Sequence, residues 1–367
     1  MKSKLKEIFE IFKETSFLSA FRYLLFKTFL KTPSFLVKNK DTNNKNILIG
    51  AGTYASSILI SSMSNAKILP NQIISKSNTS ANNLANAWGF KNGDMTLKNF
   101  LEGEFDANAL VIATPHETHP EYIEIALKKD IYTYCEKPVA INKTGIIKLI
   151  NLAKYHSDNN KIMIGFNRRF APAILKIMNL DFIENRKRPI ELTYRINFGK
   201  RVDNSMTDEN SGGGRLIGAG CHYVDLINFI IKSDVKDIYA VSSSDENTFS
   251  AVINFSDSSI ATIIFTSDGD RNYDSKEEIS ISSSGHMIKI NDFKKLKIDG
   301  KKLNVTKNSY GAFNAMSSFS ASMDSKSAVP VSLTDGIIAT SVTLAIQESL
   351  KSKTKVSFSE FMEKLNQ

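Results

Sequence analysis

The pattern of hydrophobic and polar positions divides the chain into three parts, and it predicts a folded domain for two of them. In residues 46–166, short apolar runs alternate with stretches of helical periodicity, which predicts a doubly wound parallel sheet covered by helices on both faces. In residues 167–367, strand-like runs follow one another across short polar turns, between helices near residues 220–231 and 333–352. The expected fold is therefore an α/β domain followed by an α+β domain with a mostly antiparallel open sheet.

Residues 1–45 form the third part, a basic extension with apolar residues at helical spacing. Nine lysines and arginines stand against three glutamates in residues 1–40, which accounts for six of the nine net positive charges of the chain. Charged residues interrupt its Phe- and Leu-rich stretch before it reaches the ~20 apolar residues that a membrane span requires. Two interpretations stay open: amphipathic helices packed on the chain's own domain, which we favour, or contact with a partner protein or an anionic membrane surface.

Composition and charge narrow the class of protein. A chain of 367 residues with 42% hydrophobic and 23% charged residues can bury two cores, which excludes a peptide hormone or a small metal-stabilised module. Its two cysteines, Cys135 and Cys221, provide no disulfide framework, and the start lacks the pattern of a cleaved signal, so we expect the cytoplasm, with the inner face of a membrane as the alternative. No zinc-ligand spacing or RNA-binding aromatic signature accompanies the charge, so we expect neither a metal site nor a nucleic-acid partner.

A glycine-rich turn opens the first predicted strand–helix unit. It fits the fingerprint G-x-G-x-x-G/A and consists of Gly50, Ala51, Gly52, Thr53, Tyr54 and Ala55. After an apolar strand, this fingerprint predicts a Rossmann domain that holds the pyrophosphate of a dinucleotide at a helix N-terminus. The acidic residue that takes the ribose hydroxyls of NAD roughly 20 positions later is missing, and Lys76 stands there instead. The sequence therefore favours NADP over NAD as cofactor.

Two further loops follow predicted strands, at the sheet edge where open α/β sheets bind ligands. They contain the runs Ala113–His119 and Glu136-Lys137-Pro138. At these residues the sequence resembles the Gfo/Idh/MocA family, named for glucose-fructose oxidoreductase and inositol dehydrogenase. The resemblance extends over residues 46–360 through Gly165–Phe170, Gly212–Gly214, His222–Leu226 and Asp335-Gly336.

This resemblance implies a nicotinamide-dependent oxidoreductase that acts on a sugar, a sugar derivative or a cyclic polyol, with a cis Lys137-Pro138 bond and a homo-oligomeric assembly. Lys137 and His222 are the expected catalytic residues, since a lysine of lowered pKa or a neutral histidine can take or relay the proton of a carbinol. The cofactor is expected to meet the glycine-rich turn together with Lys76, Thr114, Pro115, His119 and Glu136. The substrate is expected to meet Arg168, Arg169 and Asp225.

The sequence departs from the family just before His222. Many members carry an aspartate at the position of Gly218, and the subgroup that this run resembles more, the reductase half of two-part oxidoreductases, tends to carry a glutamate at the position of Ala219. Asp225, on the same helical face as His222, could partly replace them. Two alternatives to a dehydrogenase stay open: a dinucleotide-binding sensor or subunit without catalysis, and an enzyme that cleaves glycosidic bonds through transient oxidation.

Overall fold

The computed structural model describes the chain in segments, namely residues 8–12, 15–28, 45–90, 92–156, 160–199, 208, 211–243, 248–267, 269–270, 275–305 and 310–366. The strands are β1 Asn46–Ile49, β2 Gln72–Ile74, β3 Ala109–Ile112, β4 Tyr132–Cys135, β5 Ile162–Ile164, β6 Glu191–Asn197, β7 Val235–Ser242, β8 Phe249–Phe255, β9 Ile260–Thr266, β10 Glu277–Ser283, β11 His286–Asn291, β12 Lys295–Ile298, β13 Lys301–Leu303 and β14 Val356–Ser357. The α-helices are α1 Phe17–Thr28, α2 Ile60–Asn65, α3 Asn78–Trp88, α4 Leu97–Leu101, α5 His119–Lys128, α6 Lys143–Tyr155, α7 Pro172–Met178, α8 Asp181–Glu184, α9 Cys221–Ile231, α10 Ala312–Ser325, α11 Leu333–Ser352 and α12 Phe358–Asn366.

The first sheet is parallel and has the strand order β2-β1-β3-β4-β5. Every residue of β1 and β3 is buried, because helices cover both faces of the sheet. The chain leaves β1 towards β2 on one side and returns to β3 on the other, so the loops after β1 and β3 diverge and open a crevice at the carboxyl ends of the strands. The predicted doubly wound sheet is confirmed.

The second sheet has nine strands in the order β13-β12-β11-β10-β6-β9-β8-β7-β14. Only β6 and β9 pair in parallel, so the predicted mostly antiparallel sheet is also confirmed. Burial alternates along β8 and β10, whose inward residues join the core. The outward side chains Tyr239, Val241 and Ile264 stay exposed.

Helix α11 joins the two sheets. It packs against α9 and β7 of the second domain and against α6 and β5 of the first. Gly336 permits the approach, since a Cβ atom there would lie 2.5 Å from Cγ1 of Val139 and 2.8 Å from Cγ1 of Ile164. One continuous hydrophobic core therefore runs through both domains and fixes the cleft between them.

Helix α1 lies on the first domain. The Oγ atoms of Ser19 and Ser61 are 2.7 Å apart, and the guanidinium of Arg22 lies 4.5 Å from the ring centre of Trp88. Leu25 enters the main core. Over residues 17–28 the extension thus packs on its own domain, as in the interpretation we favoured; residues 1–7, 13–14 and 29–44 lie outside the described segments. Among the described helices, none combines the length and apolar character needed to cross a membrane.

Candidate active site in the cleft between the domains

The glycine-rich turn lies at the crevice between the ends of β1 and β3. Gly50 has φ +107°, and a Cβ atom there would stand 2.1 Å from the carbonyl oxygen of Ala113, so no other residue fits. Around Gly52 the situation is the opposite, because no atom lies within 4 Å of the position that a Cβ atom would take. Open space thus faces the start of the helix, whose first N–H groups have no partners within the helix. These residues fit the pyrophosphate of a dinucleotide.

The rest of the turn supports this helix start. Ala55 is buried at the beginning of a π-helical turn, Ala55–Leu59, that continues into α2. Gly50 donates its N–H to the carbonyl oxygen of Ile74 at 2.8 Å, which ties the turn to the end of β2. Lys76 follows two residues later and is exposed, as a residue that reaches a cofactor phosphate must be.

His119 lies beneath the predicted cofactor loops and joins them. Its Nδ1 is 2.6 Å from the carbonyl oxygen of Pro138 and its Nε2 is 3.2 Å from that of Thr114. Burial lowers the pKa of His119 to about 4, so the ring is neutral and donates one N–H. Both ring nitrogens face backbone carbonyls, so His119 ties together the loops that carry Thr114 and Lys137. Its expected contact with the cofactor stays a prediction. Pro115, at the same loop, is exposed.

Lys137 follows β4 and reaches across the cleft. The Lys137-Pro138 peptide bond is cis, in agreement with the resemblance. Although Lys137 is only 8% exposed, its Nζ donates to the carbonyl oxygen of Gly218 at 2.8 Å. Gly218 belongs to a second π-helical turn, Leu216–Gly220, whose widened backbone presents this carbonyl. At the position where the sequence lacks a carboxylate, the ammonium group therefore finds a backbone acceptor.

Glu136, the neighbour of Lys137, turns its carboxyl group inward. Its Oε1 atom has no hydrogen-bond partner among the described residues, and a Cβ atom on Gly165 would lie 3.0 Å from it. Burial raises the pKa of Glu136 to about 7, against the opposing effect of the Lys137 charge. The carboxyl group of Glu136 is thus a buried group that interacts electrostatically with the Lys137 ammonium.

His222 stands at the start of α9, on the second-domain side of the cleft. The side chain is partly buried, and its Nδ1 is shielded from solvent and has no hydrogen-bond partner among the described residues. The Phe166 ring lies edge-on at 6.0 Å between ring centres. Burial first, and then the charges of Arg168 and Lys137, hold the pKa of His222 well below its usual range, so the ring is neutral. A neutral imidazole with a nitrogen that no described residue satisfies can accept or donate a proton to a ligand.

Asp225 does not take the place of the missing carboxylates. Both of its oxygens accept from Arg169, with N–O distances between 2.5 and 3.0 Å. Arg169 also donates to Asp335 at 3.0 Å. The expectation that Asp225 orients His222 is therefore wrong, because the guanidinium of Arg169 occupies this carboxylate in the interior.

Arg168 forms a second buried pair. Its guanidinium donates to Glu277 through two nitrogens, at 2.8 and 2.5 Å, and Tyr194 donates its hydroxyl to the same carboxylate at 2.5 Å. Burial opposes ionisation of Glu277, but the charge of Arg168 outweighs it and lowers the pKa of the carboxyl group. The structure thus gives both arginines carboxylate partners within the protein. The expected substrate contacts of Arg168, Arg169 and Asp225 stay predictions.

Sequence reasoning missed Glu277 and Tyr194. One signal could have found Glu277: it occupies an inward position of β10, in step with Ile279 and Ile281, where an unpaired charge would be costly. Among the described residues, no group of three or more His, Cys, Asp and Glu side chains could hold a metal ion.

Comparison with known proteins finds a family model that matches the first domain. Residues 45–166 match the Gfo/Idh/MocA model, an oxidoreductase family with an NAD-binding Rossmann fold. The match confirms the resemblance over these residues. The inositol 2-dehydrogenase of Acidothermus cellulolyticus is 26% identical over 146 residues, which are 39% of this chain and 40% of that protein. The aligned part spans less than half the length of this relative.

Solved structures show the same fold over nearly the whole chain. An oxidoreductase from Thermotoga maritima has a TM-score of 0.73 at 19% identity and covers 87% of this chain and 99% of its own. Levoglucosan dehydrogenase in complex with NADH and levoglucosan has a TM-score of 0.72 at 17% identity and covers 86% and 100%. At these identities the likeness establishes the fold alone.

Proposed function

We propose that the protein is an NAD(P)-dependent oxidoreductase that transfers a hydride between nicotinamide and a carbinol or carbonyl of a sugar, a sugar derivative or a cyclic polyol. One observation carries the proposal: the ammonium group of Lys137 bonds to the carbonyl of Gly218, four residues before His222, and its charge acts on the neutral imidazole of His222. The inositol dehydrogenase relative and the sugar-bound structural neighbour support this class of substrate.

The chain's own residues divide the work of such a reaction. When bound, the nicotinamide supplies the hydride acceptor or donor. The amides that follow Gly52 would hold the pyrophosphate, with Thr114 and Pro115 beside it. Lys137, fixed by the Gly218 carbonyl, would orient the substrate oxygen and stabilise negative charge that develops on it. His222, kept neutral by its surroundings, would take up or return the hydroxyl proton.

We propose NADP as the preferred cofactor. Support comes from Lys76, an exposed cation two residues after Ile74, the residue whose carbonyl ties β2 to the glycine-rich turn. An additional phosphate on the ribose would gain a charge-assisted contact there. In the Lys76→Asp variant we expect the ratio of the NADPH and NADH dissociation constants to shift towards NADH by about tenfold or more. An unchanged ratio would reject this role for Lys76.

A sensor or subunit without catalysis is the second candidate. Two observations favour it: positions 218 and 219 carry Gly218 and Ala219, which have no carboxylate, and the carboxylate of Asp225 accepts hydrogen bonds from Arg169. A screen of sugars and polyols with NAD+ and NADP+, monitored at the absorbance of the reduced cofactor, separates the candidates. Turnover that disappears in Lys137→Met supports the dehydrogenase. Cofactor affinity without turnover supports the sensor, and release of a leaving group without net reduction would indicate redox-assisted glycoside cleavage.

We further propose that two copies of the chain associate in the cytoplasm through the outer face of the second sheet. Exposed apolar side chains on β7 and β9, Tyr239, Val241 and Ile264, support this. A monomeric mass of the wild-type chain in sedimentation equilibrium would reject the assembly, and Val241→Glu should weaken it.

A peripheral membrane contact through residues 1–40 is supported by their charge and by exposed Phe9 and Phe17. Equal flotation of the full chain with anionic and neutral vesicles would reject that contact.

A further inference from the structure

His116 lies within the run Ala113–His119, where the sequence motifs give it no role, and it connects the two domains. It lies in the short helical turn His116–Thr118 after β3, and its Nδ1 is 2.9 Å from the carbonyl oxygen of Gly212. Burial lowers its pKa to about 3, with further contributions from Lys137 and His119. A neutral ring facing a carbonyl must carry its hydrogen on Nδ1, so His116 donates to Gly212.

The segment that His116 holds is the one that Lys137 holds. Residues 212 and 218 are six positions apart on one stretch of the second domain, and their carbonyl oxygens accept from His116 and Lys137, which both belong to the first domain. Between them, Gly213 has φ +76°, and a Cβ atom there would lie 3.1 Å from Cβ of Ile141. The chain in this stretch thus lies directly against the first domain.

We infer that His116 is a positioning residue, whose hydrogen bond to Gly212 fixes the segment 212–220. The fixed segment then holds the Gly218 carbonyl where it orients Lys137, and it holds the start of the helix that carries His222. Two anchors at the ends of this segment restrict it more than one, since a chain held at a single point can still rotate about it. The inference rests on the proposed function for its catalytic consequence, but the anchoring itself is a property of the apo protein.

The test compares His116→Leu, which keeps volume and loses the N–H, with His116→Asn, whose amide can donate from a position near Nδ1. Glu117→Ala, at the exposed neighbouring residue, is the matched control. We expect the amides of residues 212–220 to exchange hydrogen about fivefold faster in His116→Leu than in the wild type, and at the wild-type rate in the Asn and control variants. If His116→Leu does not fold, His116→Ala replaces it.

Kinetics add the second readout. In His116→Leu, kcat for the substrate found in the screen should fall about tenfold to a hundredfold while the cofactor dissociation constant changes less than about threefold, and His116→Asn should recover most of kcat. Unchanged exchange in 212–220 in His116→Leu would overturn the inference. Faster exchange in His116→Leu, together with a wild-type protein that binds no cofactor, would instead reject the proposed function and leave the anchor standing.

Discussion

The Nζ atom of Lys137 lies 2.8 Å from the carbonyl oxygen of Gly218, and this hydrogen bond spans the cleft between residues 81 positions apart. It fixes the ammonium group through a backbone carbonyl at a position where the sequence carries no carboxylate. A carbonyl offers a partial negative charge, so it orients the ammonium group while leaving most of its positive charge available to a substrate oxygen. The glycine at position 218 therefore still provides an anchor for Lys137 through its backbone.

Replacing Lys137 by methionine should remove the positive charge and retain the length of the side chain. We expect kcat/KM to fall about a hundredfold to ten-thousandfold, because a group that stabilises charge in the transition state is lost. Lys128→Met, at an exposed lysine of α5, is the matched control and should leave kcat/KM unchanged. Steady-state kinetics provide the measurement, and a Lys137→Met enzyme with wild-type kcat/KM would remove Lys137 from the mechanism.

The carboxyl group of Glu136 should make stability depend on pH. Its pKa of about 7 in the folded protein exceeds the ordinary value of 4.5, so between these pH values the folded state keeps a proton that the unfolded chain releases. The free energy of unfolding contributed by this group therefore decreases as pH rises from 4.5 to 7, by up to about 3 kcal/mol.

Glu136→Gln cannot titrate and should lack this contribution. Denaturant titrations at pH 4.5 and above give the free energy of unfolding of the wild type minus that of Glu136→Gln. This difference should decrease as pH rises. Taking the difference cancels the opposite contributions of the buried histidines. Glu121→Gln, at an exposed glutamate, should show a constant difference. A constant difference for Glu136→Gln as well would contradict the buried, partly protonated carboxyl group.

The buried pair of Arg168 and Glu277 should be costly to break from one side. Glu277→Leu leaves the guanidinium without a carboxylate and should lower the free energy of unfolding by about 3–5 kcal/mol. The double variant Arg168→Met/Glu277→Leu should be less destabilised than Glu277→Leu alone, since no charge is left unpaired. At the exposed pair of Lys98 and Glu102, Glu102→Gln should cost less than about 1 kcal/mol. Purely additive losses in the double variant would argue against a coupled pair.

Trp88, the one tryptophan of the chain, reports on the packing of α1. Arg22 covers its ring and is itself buried, which lowers the pKa of the guanidinium. Arg22→Ala should expose the indole, shift its emission to longer wavelength and lower the free energy of unfolding by about 1–2 kcal/mol. Phe17→Ala, on the same helix at a residue that is 74% exposed, should leave the emission unchanged. The same emission in Arg22→Ala would show that α1 is not docked on Trp88.

The sequence allowed the fold to be predicted because local patterns specify it. Buried parallel strands such as β1 and β3 read as unbroken apolar runs, and the strands of the second sheet alternate because one face meets the core. The requirement for Gly50 was also readable, since the fingerprint places a positive φ and a close approach at that glycine.

The partners of the polar residues could not be read in the same way. Arg168 and Glu277 are 109 positions apart, and no local pattern tells which carboxylate a buried arginine will meet. The same holds for His119 and His116, whose carbonyl partners carry no side-chain signature in the sequence. The identities of candidate residues such as Lys137 came from motifs, whereas their roles as anchors or as free groups depended on tertiary contacts.

Titration of the purified full chain with NADH and NADPH, followed by cofactor fluorescence, tests the central claim most directly. We predict saturable binding of at least one cofactor by the wild type and its loss in Gly52→Glu. The position of its Cβ atom has no neighbour within 4 Å, so the new side chain fits the fold. Its carboxylate would repel the pyrophosphate at the helix start. Tyr155→Glu, which adds the same charge at an 86% exposed residue of the same domain, should bind like the wild type. No saturable binding of either cofactor by the wild type, or equal binding by folded Gly52→Glu, would contradict the account.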